Sequence, residues 1–296
     1  MDYGIRNGIA RIAVPFFFVS SGFFFSTKVD CSHLDLNVTK VYTFKLLRLL
    51  GLWSILLFAG DKGHLWYIGG LVVAVLLYSV LVYHNVSCKN MIVMACIFYM
   101  IGLIGDSYYH LLYPFQKIAP FRYLIAAYYK MFTTTRNGIF MGFPFFLMGC
   151  VIEKKKVFTR PVYSMIGFLV STAFLLFEAF VLRKMAFPKE EHVDMYLFLV
   201  PAVFFLFLFS VNSNPFSSGS IYKKIRSVGV IVYFSHWLIS CCILWGWDFV
   251  RKISGVEIDN SLVNYFLTIT IANVVGVVIY ELSRKEKFSF LKYLYS

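Results

Sequence analysis

Nine apolar runs, separated by short polar breaks, organise this chain. Crossing a hydrocarbon core takes about twenty apolar residues, and with that ruler the runs fall at 8–26, 41–59, 65–83, 90–105, 138–152, 162–182, 195–211, 227–247 and 262–282. The fourth and fifth are short. Between them the stretch 106–137 is the least regular, and Leu124 to Phe132 within it reads as a re-entrant or interfacial helix. In lipid a helix satisfies its own backbone N–H and C=O groups without water. The pattern therefore predicts an all-α, polytopic transmembrane bundle of about nine spans. No soluble domain, low-complexity linker or internal repeat interrupts it, so residues 1–296 read as a single integral-membrane domain.

Composition agrees. Hydrophobic residues make up 59% of the chain and charged residues 15%, too few polar side chains to cover a water-facing surface. The 33 Phe suit lipid-facing and helix–helix surfaces. A net charge of +13 could suggest nucleic acid, but the basic residues sit in short loops between apolar runs, which is the positive-inside pattern. Nucleic acid is therefore excluded as a partner, and membrane lipid takes its place. The six cysteines show neither CxxC nor Cys/His ligand spacing, so no metal site is expected. The first apolar run carries no convincing signal-peptide cleavage site.

Nine spans place alternate loops on opposite sides. One side, which includes Lys154, Lys155, Lys156, Arg160, Arg284 and Lys285, holds about sixteen Lys/Arg; the other holds about eleven. The excess puts the Lys154–Arg160 loop and the C-terminus in the cytoplasm of a cell-membrane protein. It also puts Met1 outside, with seven residues ahead of the first span. An even number of spans would be more natural, so one helix is expected to be missing from the front.

Ionisable groups at membrane depth are costly and mark functional sites. Arg11 lies near the outer end of the first span, Glu178 near the outer end of the sixth. His64 and Trp66 open the third span, Asp106 closes the fourth, and Arg136 with Asn137 opens the fifth. All belong to the outer half on this topology, which suggests a polar cavity open to the outside. His236 lies nearer mid-membrane in the eighth span. Plainer roles fit some of these: belt aromatics for Trp66 and Tyr67, a loop cation for Arg136, a packed interior histidine for His236. Lys45 and Arg48 fit snorkelling residues at a cytoplasmic span end. Arg11 and Glu178 fall inside spans and could pair with each other.

Several segments carry a resemblance. The run from Arg11 through Pro15 to Ser21-Gly22-Phe23 resembles the second-span signature of the family-3 membrane acyltransferases. His64-Leu-Trp66-Tyr67 and Tyr233-Phe-Ser-His236 are similar to two later motifs of that family. Still nearer is the membrane domain of the vancomycin-resistance serine racemases, in the same superfamily. It is similar in His64-Leu-Trp-Tyr, Gly102-Leu-Ile-Gly105-Asp106-Ser107, Thr135-Arg136-Asn137-Gly138-Ile139-Phe140 and Asp194-Met195-Tyr196-Leu197-Phe198-Leu199. The resemblance runs over nearly the whole chain.

That resemblance implies a ten-span full-length form whose first helix carries an arginine and, some ten residues on, a catalytic histidine. Here Arg6 is followed at that distance by Phe17, so the helix and its base are expected to be absent, and this form to be an impaired enzyme. The racemase likeness is to the membrane part alone, so a pyridoxal-phosphate domain is not expected in this form. The implied activity is O-acyl transfer, with no tightly bound cofactor. Acetyl or another acyl group would pass from acyl-CoA to a hydroxyl of an extracytoplasmic saccharide or cell-wall component. His64, Arg11 and His236 would be catalytic, since a near-neutral histidine suits a general base. Trp66, Asp106, Arg136, Asn137 and Glu178 would bind the acceptor, and Lys45 and Arg48 the phosphates of acyl-CoA. Two rivals stand beside this reading: an amino-acid carrier for serine, as in the racemase membrane domain, and a non-catalytic membrane subunit or sensor.

Overall fold

The computed structural model describes residues 8–29, 36–57, 65–131, 134–185, 194–213, 220–255 and 261–295. Helices and their connections make up these residues, with no strand among them. Ten helices matter to the argument: α1 (Ile9–Ser26, opening with a 3₁₀ turn), α2 (Leu36–Leu56), α3 (Trp66–Tyr83), α4 (Cys88–Gly105) and α5 (Ala119–Met131). They continue with α6 (Phe143–Lys154, entered through a π turn at Gly138–Gly142), α7 (Pro161–Met185), α8 (Leu199–Asn212), α9 (Ser220–Ser254) and α10 (Ser261–Ser283).

Each of the nine apolar runs meets one of these helices; α5 is the tenth. Among the described residues six segments are long and apolar enough to cross a membrane: α1, α3, α4, α7, Lys224–Ser254 of α9 and Val263–Ser283 of α10. The molecule is thus a multi-pass membrane protein by length and composition. Exposed faces agree, since α7 turns Ile166, Leu169, Phe174 and Phe177 outward and α10 turns out Val274 and Val278. An apolar surface of that extent fits lipid rather than water. The expected count of about nine is met in full only if α2, α6 and α8 also cross. They fall short because α2 carries Lys40, Lys45 and Arg48, while α6 and α8 are 12 and 14 residues long.

Local signals set the ends of the helices. Ser87 caps α4 by accepting the Asn90 N–H at 3.3 Å. Pro161 opens α7, where its missing N–H costs nothing. Beyond α3, Asn85 takes a left-handed turn at φ 54°, a conformation asparagine tolerates.

The chain forms two compact units. The first comprises 1–43 and 67–215, and its core is the packing of α1 on α6. There Phe25, Tyr78 and Phe146 meet with ring centroids 5.6 to 6.0 Å apart, all almost wholly buried. Two glycines permit the close approach. A Cβ on Gly22 would lie 1.9 Å from the Phe146 carbonyl oxygen, and one on Gly149 would lie 2.0 Å from that of Val19. The second unit comprises 44–66 and 216–296 and is built on α9 against α10. Within it Trp53 stacks on Phe234 at 4.9 Å and donates its indole N–H to the Leu294 carbonyl at 3.0 Å. Lys224 pairs with Glu281 at 2.6 Å.

Candidate functional site

The first unit gathers Arg11, Asp106, Arg136, Glu178 and Asp194 around the chain that leads into α8. Residues 194–198 are not helical, so their N–H groups lack intrahelical partners. Two carboxylates answer them. Asp106, just past the end of α4, accepts the Asp194 N–H at 2.8 Å and the Met195 N–H at 2.6 Å through a single oxygen. Glu178, on α7, accepts the Leu197 N–H at 2.7 Å and the Phe198 N–H at 2.9 Å. The Tyr108 hydroxyl donates to the same Glu178 at 2.7 Å. Ser107 donates to the Met195 carbonyl and Tyr99 to the Tyr196 carbonyl, the latter at 2.7 Å. Carboxylates suit this position doubly, because the amino end of a helix carries partial positive charge.

Asp194 itself points its carboxylate at two guanidinium groups. Arg11 of α1 forms an ion pair with it, and Arg136, ahead of the π turn, reaches it at 3.3 Å. The Asp194 side chain is 11% exposed, that of Arg11 19% and that of Arg136 35%. The opening toward the surface is therefore on the Arg136 side. Burial, and then the negative charge of Asp194, push the Asp106 carboxyl up to about 7. A neutral Asp106 still serves its two N–H donors, because its carbonyl oxygen has two lone pairs. Burial and the bond to Glu178 likewise raise the Tyr108 hydroxyl above the ordinary phenol range, so Tyr108 stays a donor.

Among the residues singled out from sequence, Arg11, Asp106, Arg136 and Glu178 thus meet around 194–198. Arg11 takes Asp194 as its partner, and Glu178 serves backbone. Asn137 is a cap: its Oδ1 accepts the Ile139 and Phe140 N–H groups at 2.9 and 3.0 Å, while its amide donates to the Thr134 carbonyl. Trp66, Lys45, Arg48 and His236 belong to the second unit. There Arg48 lies over the Tyr293 ring at 5.0 Å. His236 donates from Nδ1 to its own helix, at 2.6 Å to the Tyr233 carbonyl. His64 lies outside the described residues. Among the described residues, no three His, Cys, Asp or Glu side chains gather as a metal ion would require.

Asp194, which the sequence offered only within the Asp194–Leu199 segment of resemblance and not as a site residue, is the hub. Its signal was available, because an acid directly ahead of an apolar run stands at a helix entrance. Tyr108 and Tyr99 carried no such signal.

Known proteins similar to this chain are racemases by name. It is 29% identical over 97% of its length to a serine/alanine racemase of Enterococcus gallinarum. It is 28% identical over 94% of its length to an amino-acid racemase of Enterococcus faecalis, and 23% over 98% to a second one. The chain spans about two-fifths of the length of these relatives, 41 to 43%. No protein-family model and no solved structure matches it. These relatives overturn the expectation of O-acyl transfer to a saccharide or cell wall. Proteins similar along nearly the whole chain are named for amino-acid racemisation, and no family model supports membership of the family-3 acyltransferases. The likeness to serine racemases is the part that stands.

Proposed function

We propose that this chain is a membrane carrier for a small amino acid such as serine, and the counterpart of the membrane portion of serine racemases. One observation carries the reading. The likeness covers 94 to 98% of this chain but only about two-fifths of the proteins named as racemases. Racemisation would then reside in the part of those proteins that this chain does not match, and passage of the amino acid across the membrane in the part it does.

The charge cluster supports this chemically. An amino acid offers one carboxylate and one ammonium group, and the site offers guanidinium groups and a carboxylate in complementary order. Arg136, the more exposed cation, would take the substrate carboxylate in the paired geometry that guanidinium favours. Asp194 would turn to the ammonium group, with Arg11 holding it in place. The exchange keeps every charge partnered, which a low-dielectric setting demands. Broken helices leading into a polar site at membrane depth are also a recurrent carrier feature, and the π turn before α6 and the irregular entrance to α8 are of that kind. The nine-span topology with a cytoplasmic C-terminus belongs to the same proposal.

The test is uptake of labelled L-serine and L-alanine by proteoliposomes. Saturable uptake is expected, and Arg136→Ala should weaken apparent affinity about tenfold or more, the worth of a charge-assisted pair of about 1.4 kcal/mol or above. Folded protein that takes up neither amino acid would sink the carrier and favour a non-catalytic membrane subunit.

A further inference from the structure

We propose that the groove between α4 and α5 is a binding site for one acyl chain of an anionic membrane phospholipid. The groove has a volume of about 380 Å³, within the range of small-molecule sites. Ile101 and Ile104 of α4 form one wall, and Leu124, Ile125 and Met131 of α5 the other. At its base Tyr128 packs on the bare backbone of Gly105, where a Cβ would come within 2.4 Å of the tyrosine oxygen. A lining this apolar offers almost nothing to a polar ligand and suits a hydrocarbon chain.

The setting of α5 identifies the owner of that chain. At 13 residues the helix is about 20 Å long, too short to cross a hydrocarbon core of about 30 Å. Its lining residues Leu124, Ala127, Tyr128 and Met131 are spaced three and four apart and share one face. Arg122 and Lys130 lie on the other side and are exposed, as is Lys117 just before the helix. Phe121, Tyr123 and Met131 are exposed too. An apolar face, a basic face and exposed aromatics are the marks of a helix lying in the headgroup layer. Charge selects the lipid. From Ser107 to Ile152 the sequence holds no Asp or Glu, whereas Lys117, Arg122, Lys130 and Arg136 fall in that stretch. Arg136 is taken by Asp194, but Lys117, Arg122 and Lys130 are exposed cations with no acid beside them in sequence, and such a row favours an anionic phosphate over a zwitterionic headgroup.

The experiment uses the full 296-residue chain in nanodiscs of mixed phosphatidylcholine and phosphatidylglycerol. One or the other lipid carries a photoreactive diazirine near the end of an acyl chain, and labelled peptides are mapped by mass spectrometry. Labelling should concentrate on 101–131 and be several-fold stronger from the phosphatidylglycerol probe. Ala127→Trp, which fills the groove, should remove that labelling and leave labelling of α7 unchanged. Arg122→Glu combined with Lys130→Glu changes only exposed positions, and should abolish the preference for phosphatidylglycerol. Labelling of 101–131 no stronger than that of α7, or unmoved by Ala127→Trp in folded protein, overturns the site. A preference that survives the charge reversal overturns the anionic occupant.

Discussion

Asp106 shows how a single side chain can be found in a sequence and its job still be missed. An acid just past the end of an apolar run is conspicuous, and the cost of burying a charge argues for a purpose. The purpose is legible only in three dimensions: one oxygen receives the N–H groups of Asp194 and Met195, 88 and 89 residues downstream. Glu178 follows the same logic, and Asn137 does so locally, within reach of its own N–H neighbours. The Asp106 carboxyl, raised from 3.8 to about 7, makes this testable. The folded state holds this proton more tightly than the unfolded chain does. Its contribution to stability is therefore fully present below 3.8 and is lost as pH rises through about 7. Thermal unfolding in detergent should show wild type losing stability across that window, by an amount on the order of a few kcal/mol. Asp106→Asn keeps an acceptor oxygen but cannot titrate, and should flatten the profile. Asp106→Ala strands two N–H groups and should cost about 2–4 kcal/mol at every pH. An unchanged pH profile in the Asn variant would remove the argument.

Element by element, the apolar runs and the Leu124–Phe132 reading located α1 to α10 but not their partners. Apolar runs read alike whether they face lipid or protein, so the contrast between α3, with 61% of its span buried, and α10, with 22%, was invisible. The glycines held the missing information. Gly22 and Gly149 sit among Phe and Met in the sequence without a turn to explain them. In the fold they bring α1 and α6 to backbone contact, close enough for the Cys150 thiol to reach the Gly22 carbonyl at 3.3 Å. A methyl group at either position has only main chain to displace. Gly149→Ala and Gly22→Ala should each cost about 1–3 kcal/mol or more, as overpacking does. Gly229→Ala in α9, where nothing lies within 4 Å, should leave stability unchanged or slightly raised through helix propensity. Melting temperatures that fell equally at all three positions would mean that helix entropy, not close packing, is what these glycines provide.

For the whole molecule the open count is six crossing segments or up to nine, and among α2, α6 and α8 it is α6 that decides where 106–160 lies. If only the six long helices cross, that stretch is one loop and both its ends face the same side. If α6 crosses, the ends face opposite sides. The packing of α1 and α6 bears on this. Arg11 near the start of α1 and Arg136 just ahead of the turn into α6 share Asp194. At their other ends, Ser26 donates to Glu153 at 3.3 Å. The two helices run parallel from one pair of landmarks to the other, so α6 spans the depth that α1 spans. From Gly138 to Lys154 it measures about 25 Å, most of a hydrocarbon core. On the proposed topology the Lys/Arg excess would place Lys154–Lys156 in the cytoplasm and Lys117 outside. Substituted cysteines test both points, on a background in which the exposed Cys96 and Cys242 are replaced. Lys117→Cys should react in intact cells with a thiol reagent that cannot cross membranes, and Lys155→Cys only after permeabilisation. Reaction of both from the same side would return the count toward six and leave α6 as a helix that enters without crossing. Opposite sides with the labels reversed would keep α6 as a crossing helix, turn the molecule over, and place the Arg136 opening toward the cytoplasm.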